Sequence, residues 1–390
     1  MQQPSHSRRR SAALRGDMLL CDAGPPRKAP RGVRYVINAA AHSRQWRHNA
    51  LSDGHVGSLG VMSSAERDWD GVRLHVVTGK GGTGKTTTAA ALALALATGG
   101  KKVLLVEVED RQGIAQVFDV PPLGYVDHKI ANAQGGGTVL GLAVEAKAAL
   151  LEYLQLFYKL GRAANVLERF GAIDFATTIA PGIRDVLLTG KVYEAVRRRV
   201  GGRPVYDAVV LDAPPTGRIV RFLNVNAEVV GLARVGPIRH QADSITALLR
   251  SPQTVVHVVT LLEEMPVQET GDGVLALAAA GLPVGGIVVN LVREAVLPVR
   301  RLAAAGKGTL DADEVTAGLA AAGLPASAGV VDGLLVEARE HAARLALENR
   351  ERAAVNEIGR PVYELPLLAA GVDLGGLYLL AERLTEQGMA

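Results

Sequence analysis

The chain has 390 residues, 48% of them apolar, one cysteine and a net charge of +4. That length holds two domains or one α/β unit with insertions, and Cys21 alone excludes a disulfide framework, a Cys-x-x-Cys zinc site and a cysteine-ligated iron–sulfur cluster within one chain. No apolar run reaches the roughly 18 residues of a membrane span, so the expectation is a protein of a reducing, cytoplasmic setting with no direct span.

The charge sits at one end. Residues 1–61 carry ten basic and three acidic side chains, which leaves 33 basic against 36 acidic in residues 62–390. The arm has no sustained helical or strand period, and it reads either as a disordered basic tail or as a mis-called leader with Met62 the start. Without a basic patch on the folded part, nucleic acid is not expected as a partner.

Leu74 to Thr78 is an apolar run that feeds a glycine loop, and Thr87 to Thr98 follows as a buried helix rich in Ala and Leu. Gly79, Gly84, Lys85 and Thr86 fit G-x-x-x-x-G-K-[ST], the phosphate-cradling P-loop. Gly79, Gly81, Gly82 and Gly84 let successive N–H groups turn inward on an anion, and Thr83 and Thr87 complete the nucleotide-binding set. Lys85 reaches the β- and γ-phosphates of ATP, and the Thr86 hydroxyl goes to Mg2+.

Val103 to Val106 predicts a second buried strand, running into the acidic loop Glu107 to Gly113 at its carboxyl end, where ligands of open α/β sheets bind. Residues 138–144 predict an edge strand. From about 145 to 200 the apolar spacing is helical, with Leu150, Leu151, Leu154, Phe157, Tyr158, Leu160 and Leu167 on one stripe, and the block reads as an insertion over the nucleotide face. Ala208 to Asp212 then repeats the strand signal and ends in an aspartate. That is the pattern of a Walker B strand in which Asp212 holds Mg2+ or its waters, and the Pro214-Pro-Thr-Gly217 turn behind it is placed to report the γ-phosphate. Further strands are expected at Thr254 to Thr260, Pro283 to Val289 and Pro361 to Leu365, with helical segments between them, including Leu334 to Glu357, and a last helix at Leu374 to Leu384. The fold class is therefore α/β: a P-loop NTPase with a doubly wound, mostly parallel sheet flanked by helices.

With Lys80 directly after the first glycine, Gly79-Lys-Gly-Gly-Thr-Gly-Lys-Thr86 resembles the deviant P-loop class. The chain from about Val72 onward is similar to the ArsA-type anion-pump ATPases and the guided-entry ATPases of tail-anchored proteins, above all their shorter bacterial branch. The likeness rests also on Asp212-Ala-Pro-Pro-Thr-Gly-Arg218, Ala180-Pro-Gly-Ile-Arg-Asp185 and Glu269-Thr270.

The resemblance implies an Mg-dependent ATPase that works as a nucleotide-gated dimer, with an identical or a related chain, and couples hydrolysis to a client membrane protein or a transport partner. It implies that Lys80 crosses to the partner's phosphates, that Glu109 (or Asp110 beside it) orients the attacking water, and that Asn290, Pro366 and Leu367 hold adenine. The chain departs from the family pattern in several places. Glu109 stands where the family has aspartate, Arg218 where it usually has histidine, and both the zinc clasp and the arsenic-binding cysteines are missing. A regulatory switch ATPase or a positioning ATPase of the division or partition type are the alternative readings.

Overall fold

The computed structural model describes residues 68–109, 111–158, 181–224 and 237–390. The basic arm, Met62, Asp110 and the stripe residues Leu160 and Leu167 lie outside the described residues.

Strands β1 (Leu74–Gly79), β2 (Lys102–Glu107), β3 (His128–Asn132), β4 (Thr138–Ala143), β7 (Ala208–Asp212), β8 (Thr254–Thr260), β9 (Val284–Val292) and β10 (Val362–Pro366) form one eight-stranded sheet in the order β10-β9-β8-β1-β7-β2-β4-β3. The small hairpin of β5 (Arg199–Val200) and β6 (Arg203–Pro204) stands apart. Every pairing in the large sheet is parallel except β3 with β4. Strands buried on both faces need near-continuous apolar sequence, as in Val-Leu-Leu-Val at 103–106 and Val-Val-Leu at 209–211, and that is the signal the sequence carries.

The strand expected at the edge is not there. β4 pairs with β2 on one side and with β3 on the other, so the edge belongs to β3. In β3, His-Lys-Ile-Ala-Asn, only Ala131 is buried. A short, polar, exposed strand blunts the sheet edge against pairing with other chains, and it carries almost no period-2 signal.

One face of the sheet is covered by α1 (Lys85–Ala97), α2 (Gly113–Phe118) and α11 (Leu374–Glu386), whose apolar side chains share a core with Val77, Leu105 and Val210. In α1, Thr88 to Ala95 and Ala97 are all buried, as expected for a helix that is apolar all round. On the other face, α4 (Pro181–Arg197), α5 (Thr216–Leu223), α6 (Pro237–Leu249) and α7 (Glu264–Ala279) pack against Val76, Leu104 and Leu211. The stretch read as an insertion contributes α3 (Ala146–Tyr158) and α4, and Val186, Leu188, Val192 and Val196 of α4 enter that same core. Three helices between β9 and β10, α8 (Val299–Lys307), α9 (Ala312–Ala321) and the long α10 (Ala328–Glu357), form a largely exposed appendage.

This layout sets the site. β1 lies between β8 and β7, so the loop leaving it opens into the crevice where the connections diverge to either side, the ligand position of doubly wound sheets. Register puts Glu107 and Val77 both level with Asp212, so the acidic ends of β2 and β7 flank the loop after β1.

Candidate functional site

The loop from Gly79 to Lys85 is tightly constrained. Gly79 has φ +155°, and a Cβ on it would lie 2.2 Å from the Val259 carbonyl oxygen. Gly84 has φ +86° where α1 begins, and a Cβ there would meet Asn290 Nδ2 at 2.2 Å. Any side chain at either position collides with backbone or with a buried amide, on top of the left-handed strain at Gly84. Gly81 and Gly82 face open space. Thr83 is buried, and its hydroxyl donates to the Lys80 carbonyl at 2.9 Å, which closes the turn.

Lys85 Nζ points back along this loop, 3.5 Å from the Lys80 carbonyl. Burial lowers its pKa, Asp212 and Glu109 raise it, and Arg111 lowers it further. The hydroxyl of Thr86 donates to Asp212 Oδ2 at 2.6 Å. Burial pushes the Asp212 carboxyl up to about 6, against the pull of Thr86 and Lys85 and with Glu107 and Glu109 adding to the rise.

A hydroxyl and a carboxylate joined at 2.6 Å are hard oxygen donors, and the carboxylate lacks enough compensating positive charge to ionise at its ordinary pKa. Among the described residues no group of three or more His, Cys, Asp or Glu side chains is arranged for a metal. One carboxylate and one hydroxyl suit Mg2+, which keeps several waters and completes its shell with substrate phosphates, better than they suit Zn2+ or Ca2+.

The two loops that flank the P-loop are held differently. Glu107, buried at the end of β2, accepts hydrogen bonds from the backbone N–H groups of Arg111, Gly113 and Ile114 at 3.1, 3.1 and 3.2 Å. It thereby fixes the turn that carries Glu109 and starts α2. Glu109 itself is half-buried and pairs with Arg218 Nη1 at 3.5 Å. Across the site, the Thr78 hydroxyl donates to the Pro214 carbonyl at 2.7 Å and ties β1 to the segment after Asp212. That segment is no simple turn: Pro215 is the N-cap of α5.

Lys80 extends away from the loop and pairs with Glu269 on α7 of the same chain at 2.6 Å. Asn290 donates from Nδ2 to the Thr83 carbonyl at 2.9 Å, so it buttresses the P-loop. The next residue, Leu291, has φ +58° and is partly exposed. Leu367 is 44% exposed, and its N–H donates to the Val292 carbonyl, which sets Pro366 and Leu367 beside the end of β9. Thr87 lies in the first turn of α1 and is partly buried.

Sequence reasoning assigned no role to Glu107, Thr78 or Arg111. Glu107 stood in a loop read only as acidic, and a carboxylate four to seven residues before the N–H groups of a helix start was the available signal.

A parallel sheet with a glycine loop after its central strand, a lysine and threonine opening the next helix, and an aspartate ending the adjacent strand defines a P-loop nucleotide-binding protein. The family profile of the anion-transporting ATPases matches residues 72–248. ATPase BagA of Mycobacterium tuberculosis is 54% identical over 320 residues, which is 82% of this chain and 94% of that protein. The chain belongs to the anion-transporting ATPase family. More distant relatives are the arsenical pump-driving ATPase of Escherichia coli, 28% identical over 55% of this chain and 38% of that one, and ATPase GET3 of Kluyveromyces lactis, 24% identical over 55% and 70%. Among the described residues no helix is long and apolar enough to cross a membrane.

Proposed function

We propose that the chain is a cytoplasmic, Mg2+-dependent ATP hydrolase that works as a nucleotide-gated dimer, with an identical or a related chain, and couples its cycle to a client protein or transport partner. The observation that supports this best is the contact of Thr86 with Asp212 at 2.6 Å beside the Lys85 ammonium, because phosphoryl transfer is catalysed by positioning and charge rather than by covalent chemistry.

Lys85 neutralises the β- and γ-phosphate oxygens, and the N–H groups of the loop hold them in line. Glu109 orients the attacking water and accepts its proton as the γ-phosphoryl group departs. Thr86 and Asp212 would hold Mg2+, which would supply neutralisation of the phosphate charge when bound. Lys80 serves the partner's phosphates, which requires the pair with Glu269 to open. Hydrolysis then releases the loops after Glu109 and Asp212, and α4 and α5 carry the change outward.

The test is ATP turnover by the full chain with and without Mg2+. Lys85→Ala abolishes turnover. Lys80→Ala keeps nucleotide affinity and cuts turnover by roughly 10³-fold, the lower end of what a trans-acting cation contributes. Full turnover by Lys80→Ala, or a strictly monomeric chain with a non-hydrolysable triphosphate and its related ATPases present, would sink the dimer.

A further inference from the structure

A cleft of about 210 Å3 opens beside Glu109, between the loop after β2, the start of α4 and the segment that leads from Asp212 into α5. Three guanidinium side chains line it, Arg111, Arg184 and Arg218, against two carboxylates, Glu109 and Asp185. Leu188 and Phe222 supply apolar wall. The volume is several times what one water needs, and the lining carries one net positive charge.

The cleft is continuous with the catalytic groups. Glu109 lines it and, with Arg111, acts on the charge of Lys85. Arg218 reaches Glu109 at 3.5 Å, a long contact that leaves most of its five donors for another acceptor. Guanidinium groups recognise tetrahedral oxyanions through paired N–H donors, and apolar walls strengthen such contacts by lowering the local dielectric.

We propose that this cleft is a holding site for the inorganic phosphate that leaves the nucleotide, with Arg111 drawing it off Lys85 and Arg184 and Arg218 receiving it. The assignment of the ligand as product rests on the ATPase reading above; the oxyanion chemistry of the cleft does not. Once the bond from the γ-phosphorus to ADP has broken, the released phosphate shares a crowded pocket with ADP, and like charges favour its movement toward the arginines. Its departure from the cleft frees Arg218 and Glu109 together, so the release of the loops after β2 and β7 that follows hydrolysis is timed by phosphate leaving the cleft.

The test titrates inorganic phosphate into the full chain saturated with ADP and Mg2+, followed by calorimetry. The wild type binds phosphate saturably. Arg184→Gln, on a helix outside the P-loop, weakens that binding about tenfold, the loss of one charge-assisted hydrogen bond, and Arg184→Lys recovers part of it. ADP affinity measured in the same variants guards against a folding defect. Equal phosphate affinity in the wild type and Arg184→Gln overturns the site. Absent ADP binding in the wild type instead fails the ATPase reading beneath it. A fluorescent phosphate sensor then separates sources during turnover. Phosphate release that quickens in Arg184→Gln relative to the hydrolysis step supports product, whereas unchanged release beside weakened binding overturns the exit role and leaves a site for solution oxyanion.

Discussion

At the scale of single residues, the contacts of Lys80 and Asp212 make opposite demands on stability and function. Lys80 and Glu269 are each about one-third exposed at 2.6 Å, and pairs of that kind contribute roughly 0 to 1 kcal/mol because solvent screens them. Glu269→Gln should therefore leave the melting temperature within about a degree or two, while it frees Lys80 and strengthens nucleotide-dependent self-association in sedimentation. An unchanged association constant would mean that the pair restrains nothing. Asp212 is the reverse case. Its carboxyl is raised to about 6 by burial, and a raised carboxylate stabilises the folded chain only while protonated, so ionisation at neutral pH costs the nucleotide-free fold about 1 to 3 kcal/mol. Asp212→Asn keeps the Thr86 hydrogen bond, and it is expected to raise the melting temperature at pH 7.5 while abolishing turnover. The placement of Lys85 and Thr86 at the start of α1 and of Asp212 at the end of β7 was legible in sequence as strand, loop and helix patterns. The bond from Asn290 to Thr83 was not, since those residues are 207 apart and only the fold joins them.

Among the elements, what the sequence disclosed follows burial. β1, β2, β7 and β8 are buried along nearly their whole length and were readable as apolar runs, whereas β3 is mostly exposed and β5 and β6 have two residues each. The appendage of α8 to α10 was seen as helical but not as a unit, because α9 buries none of its side chains and so shows no stripe. The short α2 also depends on a contact that no periodicity reports. Its six residues are too few to hold a helix alone, and Glu107 satisfies two of its first N–H groups together with that of Arg111. Glu107→Gln turns one acceptor oxygen into a donor that faces N–H groups, at a cost of roughly 1 to 3 kcal/mol. Faster hydrogen exchange at Gly113 and Ile114 together with reduced turnover is the expected result. Native protection at those amides would show that the loop holds its shape without the carboxylate.

For the whole molecule, acid stability turns on a histidine pair inside the sheet. His75 of β1 and His257 of β8 are fully buried, with Nδ1 of the first 3.2 Å from Nε2 of the second and their rings stacked at 5.5 Å. His257 Nδ1 accepts from the Gly286 N–H on β9, and Trp69, itself bonded to Tyr363 on β10, closes edge-on over the His257 ring. Four adjacent strands therefore meet at two neutral imidazoles. With Nδ1 of His257 an acceptor, its proton sits on Nε2 and is donated to His75, so neither ring can gain a proton without breaking a bond. Burial holds His75 down to about 3, countered in part by the backbone at Val72, and it lowers His257 well below the ordinary range. The unfolded chain binds protons at both near pH 6.5 while the folded chain does not, so the pair's contribution is complete above about 6.5 and is lost as the pH falls below it. Each histidine adds up to about 1.4 kcal/mol per pH unit to that slope. Below about 6, Asp212 works against it, because the folded state then takes up its proton first. Urea midpoints between pH 7.5 and 6 should therefore fall, and more steeply in wild type than in His75→Leu, which removes one titrating group. His75→Leu also costs roughly 1 to 3 kcal/mol at pH 7.5 by leaving the His257 donor unpaired. Parallel pH profiles for the two proteins would place the acid sensitivity elsewhere, since the variant lacks one of the two titrating imidazoles.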